Sequence, residues 1–161
     1  MNEIIDINEY IQKVIDTVKD MPEFFDVQIY GGEFNSDETN ILSKRMPNGG
    51  ISNGLIAFVE ALPVKDINPN LRVEEMTCVF VLYILNKADR GLNGYSKNAY
   101  AHGQKLLQLI KNNNFGFRIA KKPEIMSFRN ITNQIKQDQE IAKMALVWTQ
   151  NMPLAETDRF N

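Results

Sequence analysis

The sequence predicts a single α+β domain, built on one mixed, mainly antiparallel β-sheet with two amphipathic helices packed on one face. Three features predict it: an uninterrupted apolar stretch at 73–85, two segments with helical spacing of apolar residues, and several shorter alternating segments. The 161 residues suit one domain of ordinary size. We therefore predict a domain over residues 1–151, with a long loop at 33–53 and a flexible C-terminal tail at 152–161.

The stretch at 73–85, VEEMTCVFVLYIL, is predicted to form the central strand, because it is rich in β-branched and aromatic residues and has no breaker. Side chains alternate between the two faces of a strand. One face would carry Met76, Cys78, Phe80, Leu82 and Ile84, and the other would carry Thr77, Val79, Val81, Tyr83 and Leu85. Both sets are apolar, so both faces of this strand need a cover.

A helix and a strand are predicted before the loop. Residues 6–20 repeat apolar side chains at helical spacing, with Asp6 placed to cap the first turn and Pro22 placed to end the helix. Residues 24–32, FFDVQIYGG, alternate and predict a half-buried strand. Its buried face would carry Phe25, Val27 and Ile29, and its wet face Asp26, Gln28 and Tyr30.

Residues 33–53 are rich in Asn, Ser, Gly and acidic side chains and keep no periodicity, so we predict a long loop that is either functional or becomes ordered only against a partner. Residues 54–62 follow as a strand, and their short connection to 72–85 predicts antiparallel pairing of the two. One face of the strand would carry Leu55, Ala57, Val59 and Ala61, and the other Ile56, Phe58, Glu60 and Leu62.

The second half of the chain predicts a helix and further strands. The helix runs from about Ser96, its N-cap, to residue 112, and the small Ala99 and Gly103 would let it lie close to the sheet. Short strands are predicted around 117–119 and 124–130. The final strand, at 140–150, alternates apolar residues on both faces, and Trp148 is predicted to be buried there.

Composition narrows the class of protein. Eighteen basic and 20 acidic side chains, with a pI near 5.5, argue against a nucleic-acid binder, which normally carries a basic excess. A single cysteine, Cys78, excludes an intrachain disulfide and a cysteine-rich metal site, and its apolar surroundings predict a buried hydrophobic role. The sequence carries no signal peptide and no membrane-spanning run, so we expect a soluble protein of the cytoplasm.

The residues with catalytic potential form no recognisable constellation. His102 is the only histidine and lies one position off the apolar stripe of its helix, with no partner visible in the sequence. Glu74 and Glu75 are adjacent, so they point to opposite faces of a strand and cannot act as an acid and base pair. We predict that the chain is not an enzyme and has no catalytic, metal-binding or cofactor-binding residues.

Two helices can cover only one face of the predicted sheet, and the second face also carries apolar groups. Two solutions stay open. Either the second face packs against another copy of the chain, which would make a homo-oligomer, or the loop at 33–53 folds over it in a monomer.

Several short segments resemble a known family. These are FGFR at 115–118, FRNIT at 128–132 and ALVWTQ at 145–150, together with the strand at 55–60 and the pairs Arg90-Gly91 and Gly94-Tyr95 before the second helix. The pattern resembles Mu-like phage tail proteins of the tail-terminator, or tail-completion, family. The likeness extends from about residue 24 to residue 150. The loop at 33–53 is longer than the family needs.

The resemblance implies a structural virion protein of a contractile-tailed phage, a prophage or a related injection machine. Such a protein forms a ring, usually a homo-hexamer, that caps the tail tube, ends its polymerisation and joins the tail to the head connector. Its partners would be itself, the tube, possibly the sheath, and the head-tail connector. It would lie at the tail-neck junction of the virion and pass through the host cytoplasm during assembly, with no membrane or sequence-specific nucleic-acid partner and no cofactor.

We take four residues as the candidate interface: Arg90, Tyr95 and Arg129 in or beside the matching segments, and Arg45 in the loop. Two other functions stay open. One is a small-ligand-binding or enzymatic α+β domain, whose polar residues would converge in a pocket. The other is a non-viral adaptor domain. Neighbouring tail sheath and tube genes would distinguish the phage function from both.

Overall fold

A computed structural model of the chain describes residues 4–30, 50–64, 73–87, 96–131 and 141–156. Two helices and five strands follow one another along the chain. In order they are α1 (Ile7–Lys19), β1 (Phe24–Ile29), β2 (Ser52–Pro63), β3 (Val73–Lys87), α2 (Lys97–Lys111), β4 (Glu124–Asn130) and β5 (Ile141–Glu156). The strands form one sheet in the order β1-β2-β3-β5-β4, in which only β1 and β2 are parallel. The α+β class and the mixed, mainly antiparallel sheet are therefore confirmed.

The central strand is where the sequence predicts it. β3 occupies the middle of the sheet and pairs antiparallel with both β2 and β5. It continues to Lys87, two residues beyond the predicted end at 85, so Asn86 belongs to the strand. The predicted hairpin between the second strand and the central strand is thus confirmed, with Ile56 opposite Leu82.

The main core joins one face of β3 to both helices. Cys78, Phe80, Leu82 and Ile84 belong to one buried cluster with side chains from α1, α2 and β5. The helical members are Tyr10, Ile11, Val14, Ile15 and Val18 of α1, and Ala99, Leu106 and Ile110 of α2. The predicted alternation of β3 is confirmed, because Val81 and Leu85 belong to two other clusters that contain no helix residue.

Both helices begin with the caps that the sequence predicts. The Asp6 carboxylate accepts hydrogen bonds from the backbone N–H groups of Asn8 (2.8 Å) and Glu9 (3.3 Å), which have no partner within the helix. The Ser96 hydroxyl accepts the N–H of Ala99 at 3.1 Å. Gly103 allows the close approach of α2 to the sheet, because a Cβ there would overlap the ring of Phe128.

The predicted faces of β1 are wrong. Val27 is buried, but Phe25 and Ile29 are 59% and 58% exposed. The pairing of β1 with β2 shifts register between Phe24 and Asp26, so Phe24 replaces Phe25 as the buried aromatic residue. The strand also lies at the sheet edge, where burial on the inner face is incomplete.

A bulge also alters β2. The register with β3 shifts between Phe58 and Glu60, so Phe58 lies opposite Phe80 and Ala61 lies opposite Cys78. Ala61 therefore lies on the side of the main core, with Ile56, and not on the side of Leu55 as the simple alternation predicts. The strand also begins at Ser52, two residues inside the predicted loop.

The second half of the chain brings two further corrections. Residues 117–119, a predicted strand, form turns in which the Ala120 N–H donates to the Phe117 carbonyl at 3.1 Å. Phe115 and Gly116 both have positive φ there, which interrupts an extended chain. β5 continues to Glu156, so residues 152–156 are strand and not tail, because they pair with the first residues of β3.

The second sheet face is only partly open, which corrects the prediction of an uncovered face. Leu85 and Ile141 are fully buried within the single chain, and Val81 is 5% exposed. At the other end of the β2–β3 pair, Leu62 lies opposite Thr77 and is 47% exposed. Most of the predicted loop at 33–53 lies outside the described residues, as do the last five residues of the predicted tail. On this face, the described residues leave an exposed apolar surface at the end of β2.

Candidate assembly edges and a buried polar network

The structure places one of the four candidate interface residues. Arg129 is exposed on β4, the strand at one edge of the sheet. Arg45, Arg90 and Tyr95 lie outside the described residues. The predicted interface is therefore placed at a single point, on a strand edge.

The opposite side of the sheet has a second edge. β1 pairs with β2 only as far as Ile56, where the Tyr30 N–H donates to the Ile56 carbonyl at 2.7 Å. Among the described residues nothing pairs with the outer side of β2 at 57–63, a segment that we call the β2 edge. An unpaired strand edge offers backbone N–H and C=O groups to a further strand.

The β2 edge is apolar as well as unpaired. Val59 and Leu62 are 54% and 47% exposed, and Phe58 is 37% exposed beside the core ring of Phe80. Glu60, at the bulge, is the one charged residue of the segment. Exposed apolar residues on an open strand favour pairing with another chain, whereas a bulge and a charge restrict which chain can pair.

The β4 edge, which we define as Glu124–Asn130, has related features. Met126 is 61% exposed at a register shift in the pairing with β5. Phe128 turns inward against Gly103, and Asn130 donates to the Tyr100 hydroxyl at 3.2 Å. Arg129 forms no ion pair with another described residue.

A buried polar network lies where the start of β2, the end of β3 and the start of α2 meet. The Ser52 Oγ lies 2.6 Å from the Nδ1 of His102 and accepts a hydrogen bond from the Asn86 side chain at 2.9 Å. The same Asn86 amide donates to the Ile51 carbonyl at 3.1 Å, and its oxygen accepts the Ser96 hydroxyl at 2.7 Å. Ser52, Asn86 and Ser96 are all essentially inaccessible to solvent.

The hydrogen bonds of this network form a chain in which each side chain donates to the next. The Ser96 hydroxyl donates to Asn86, and Asn86 donates to Ser52. The Ser52 hydroxyl proton is then best used by the unprotonated Nδ1 of His102, which assigns a neutral imidazole with its proton on Nε2. The side chains of Ser52, Asn86 and Ser96 all have partners, so the network joins three elements through satisfied buried groups.

His102 therefore has a partner that sequence reasoning missed. Ser52 falls in the predicted loop, and nothing in the local sequence indicates that it meets a helix fifty residues later. A serine beside a neutral imidazole is the arrangement that activates a nucleophile in some enzymes. Here the Ser52 hydroxyl is fully buried. Its contacts account for its place in the fold without a reaction.

The surroundings of His102 lower the pKa of its imidazole below the ordinary value of 6.5. Burial is the main cause, because it disfavours the charged ring, and the positive charge of Lys105 acts in the same direction. The Glu23 carboxylate, which pairs with Lys105, opposes them by favouring the charged form.

This pKa shift predicts how the stability of the fold depends on pH. The unfolded chain binds a proton at His102 near pH 6.5, but the folded chain resists it, so stability is fully present above that pH and is lost as the pH falls below it. We expect the midpoint of thermal unfolding to decrease from about pH 7.5 to about pH 5.5, and His102→Gln to flatten this slope. Glu23 has an ordinary pKa of 4.5, lowered further here, so its titration is separate. An equal slope in both proteins would contradict the assignment of a neutral His102.

The other residues with chemical potential have structural surroundings. Burial raises the pKa of the Cys78 thiol to about 11, so it stays protonated and unreactive near neutral pH. Glu75 pairs with Lys121 at 3.1 Å, and Glu74 is exposed. Across the described ranges, no group of three or more metal-ligating side chains comes together. No helix among them is long and apolar enough to cross a membrane.

Comparisons of the chain with models of known protein families and with curated proteins return no match.

Proposed function

We propose that the chain is a structural virion protein of the tail-terminator type. Identical copies assemble into a ring on the end of a tail tube, end its polymerisation and present a platform to the head connector. The observation that carries this proposal is a pair of strand edges that have no paired strand among the described residues, each with exposed apolar side chains, on opposite sides of one sheet. A subunit with two different adhesive edges is suited to a closed assembly of identical copies.

The chemistry of the described residues supports a structural role in a second way. The buried polar cluster around Asn86 and His102 uses its hydrogen bonds to join strands to a helix. The acidic charge balance fits a protein whose main partners are proteins. The segments FRNIT and ALVWTQ, which resemble the tail-terminator family, lie on and beside the two neighbouring strands β4 and β5.

The length of the tail tube tests this function. A protein that ends polymerisation is expected to leave tubes of uneven length, without attached heads, when its gene is deleted. Electron micrographs of particles made with and without the chain would measure this. Tubes of one uniform length, attached to heads, in the absence of the chain would contradict the proposal.

The contact between Ser52 and His102 favours one alternative, an enzymatic α+β domain. If the chain is an enzyme, Ser52→Ala should fold normally and lose catalytic activity. If the chain is a structural protein, Ser52→Ala should be less stable but should still support tail assembly once it is folded. Glu74→Gln, an exposed change, is the matched control and should alter neither property.

A further inference from the structure

Two edges of the sheet have no paired strand among the described residues. The β2 edge and the β4 edge each contain seven residues. We propose that the β2 edge of one copy pairs antiparallel with the β4 edge of the next, so that the sheet continues from subunit to subunit. This inference rests on the proposed function, because it identifies the contact that would build the ring.

The direction of the strands requires this pairing to be antiparallel. Within one copy β2, β3, β5 and β4 alternate in direction, so β2 and β4 run oppositely. Rotation about an axis that runs roughly along the strands keeps the direction of each strand. The β4 of one copy then meets the β2 of its neighbour in the antiparallel sense. Since two different edges meet, the contact is heterologous, and a contact of this kind gives a ring where the rotation between copies closes and a filament where it does not.

Charge selects one register for this pairing. Glu60 is the charged residue of the β2 edge and Arg129 is the basic residue of the β4 edge, and both are exposed. Neither forms an ion pair with another described residue. Opposite charges on facing strands stabilise a pair and like charges destabilise it, so the register that brings Arg129 to Glu60 is favoured.

The register of the strands within one copy determines how far the neighbouring copy must be displaced along the strands to bring its Arg129 beside Glu60. Glu124 pairs with Thr149 of β5, Thr149 with Val79 of β3, and Val79 with Glu60 of β2, so Glu124 and Glu60 lie at the same level. Arg129 lies five residues further along β4. The pairing of β4 with β5 shifts register between Ile125 and Ser127, so these five residues span only the four levels from Thr149 to Ala145. The neighbouring copy must therefore be displaced by four levels, or about 14 Å at roughly 3.4 Å per residue.

This displacement agrees with the geometry of closed sheets. With the spacing to the neighbouring copy included, the four strands β2, β3, β5 and β4 repeat about every 19 Å at roughly 4.8 Å per strand. A displacement of about 14 Å over that width tilts the strands by about 35°, at the lower end of the range of about 35–45° found in barrels. The same displacement brings the neighbour's Asn130 level with Val59, beyond Ile56, where β1 ends. β1 and the incoming β4 can then share the outer side of β2.

The pairing also covers the exposed apolar residues of both edges. Val59 and Leu62 on one side and Met126 on the other are each about half exposed or more in the single chain. Their burial against a neighbour would contribute about 25 cal/mol for each Å² removed from water, in addition to the new backbone hydrogen bonds.

Charge reversal of the purified full-length chain tests the pairing, with native mass spectrometry as the measurement. The wild type is expected to form rings. Glu60→Lys opposes Arg129, and Arg129→Glu opposes Glu60, so each variant alone should lose the ring. A 1:1 mixture should regain it, because each contact then joins one variant to the other, and the recovered rings should alternate and contain even numbers of subunits. Asp16→Lys and Lys13→Glu, exposed changes on α1, are the matched controls and should form rings as the wild type does.

Three results would overturn this inference: a wild type that stays monomeric, single variants that form rings as readily as the wild type, or a mixture that does not recover them. If both single variants formed rings, the chain would still be a ring-forming protein, but its subunits would meet through surfaces other than the β2 edge and the β4 edge. The tail-length experiment judges the proposed function separately.

Discussion

Replacing Trp148 with alanine is expected to lower the free energy of unfolding by about 3–5 kcal/mol, the cost typical of removing a large buried aromatic side chain. The indole is fully buried and stacks on the ring of Phe80, with centroids 5.7 Å apart. Its Nε1–H donates to the Tyr10 hydroxyl at 3.1 Å, and that hydroxyl donates to the side chain of Gln150. Alanine removes the stacking and the hydrogen bond and leaves a cavity between α1 and the sheet.

Urea denaturation measures this effect against two controls. Trp148→Phe keeps most of the apolar volume and should cost clearly less than the alanine variant. Met126→Ala removes a side chain that is 61% exposed and should change stability by less than about 0.5 kcal/mol. A loss below about 1 kcal/mol in Trp148→Ala would show that this side chain is not part of the core, since typical domains have only about 5–15 kcal/mol in total.

The second large effect is expected for Asn86→Ala, which should lower the free energy of unfolding by about 2–4 kcal/mol. Its side chain satisfies the Ile51 carbonyl, the Ser52 hydroxyl and the Ser96 hydroxyl. Each buried polar group left without a partner costs about 1–3 kcal/mol. We expect these three groups to rearrange in part, so the loss stays below three times the largest single cost.

Asn86→Asp and Asn8→Ala complete the test of Asn86. Asn86→Asp keeps an acceptor for Ser96 but loses the donated hydrogen bonds and brings a buried charge, so it should be at least as damaging as alanine. Asn8→Ala removes an exposed amide from the first turn of α1 and should be nearly neutral. If Asn86→Ala matched Asn8→Ala in denaturation curves, the network would have no role in joining β2, β3 and α2.

The sequence predicts the elements of this fold well, because their signals are local. The run at 73–85 has strand composition throughout, and Asp6 and Ser96 are capping residues just before helical periodicity. Gly103 indicates a close helix–sheet approach because it stands on the apolar stripe of α2. Each of these predictions depends on residues within one element.

The faces of the edge strands could not be predicted from alternation alone. A bulge shifts the side chains of β2 after Phe58, and an irregularity in β1 exchanges Phe25 for Phe24 in the core. A bulge is a property of two paired strands, so the sequence of one strand does not show it.

The polar network was missed for a similar reason. Ser52 and His102 are fifty residues apart, and they meet only because the sheet register places Ser52 beneath α2. The open edges likewise depend on where β1 stops beside β2. Of the predicted interface, Arg129 alone can be placed, and its position on an edge strand follows from the order of strands in the sheet.

The length distribution of tail tubes tests the central proposal most directly. Particles would be prepared with the gene deleted, with the wild-type chain supplied in trans, and with Arg129→Glu supplied at the same level, and tube lengths would be measured by electron microscopy. The account predicts a broad distribution without the chain, a single length with the wild type, and a broad distribution with Arg129→Glu although that variant folds. One uniform tube length in all three preparations would contradict it.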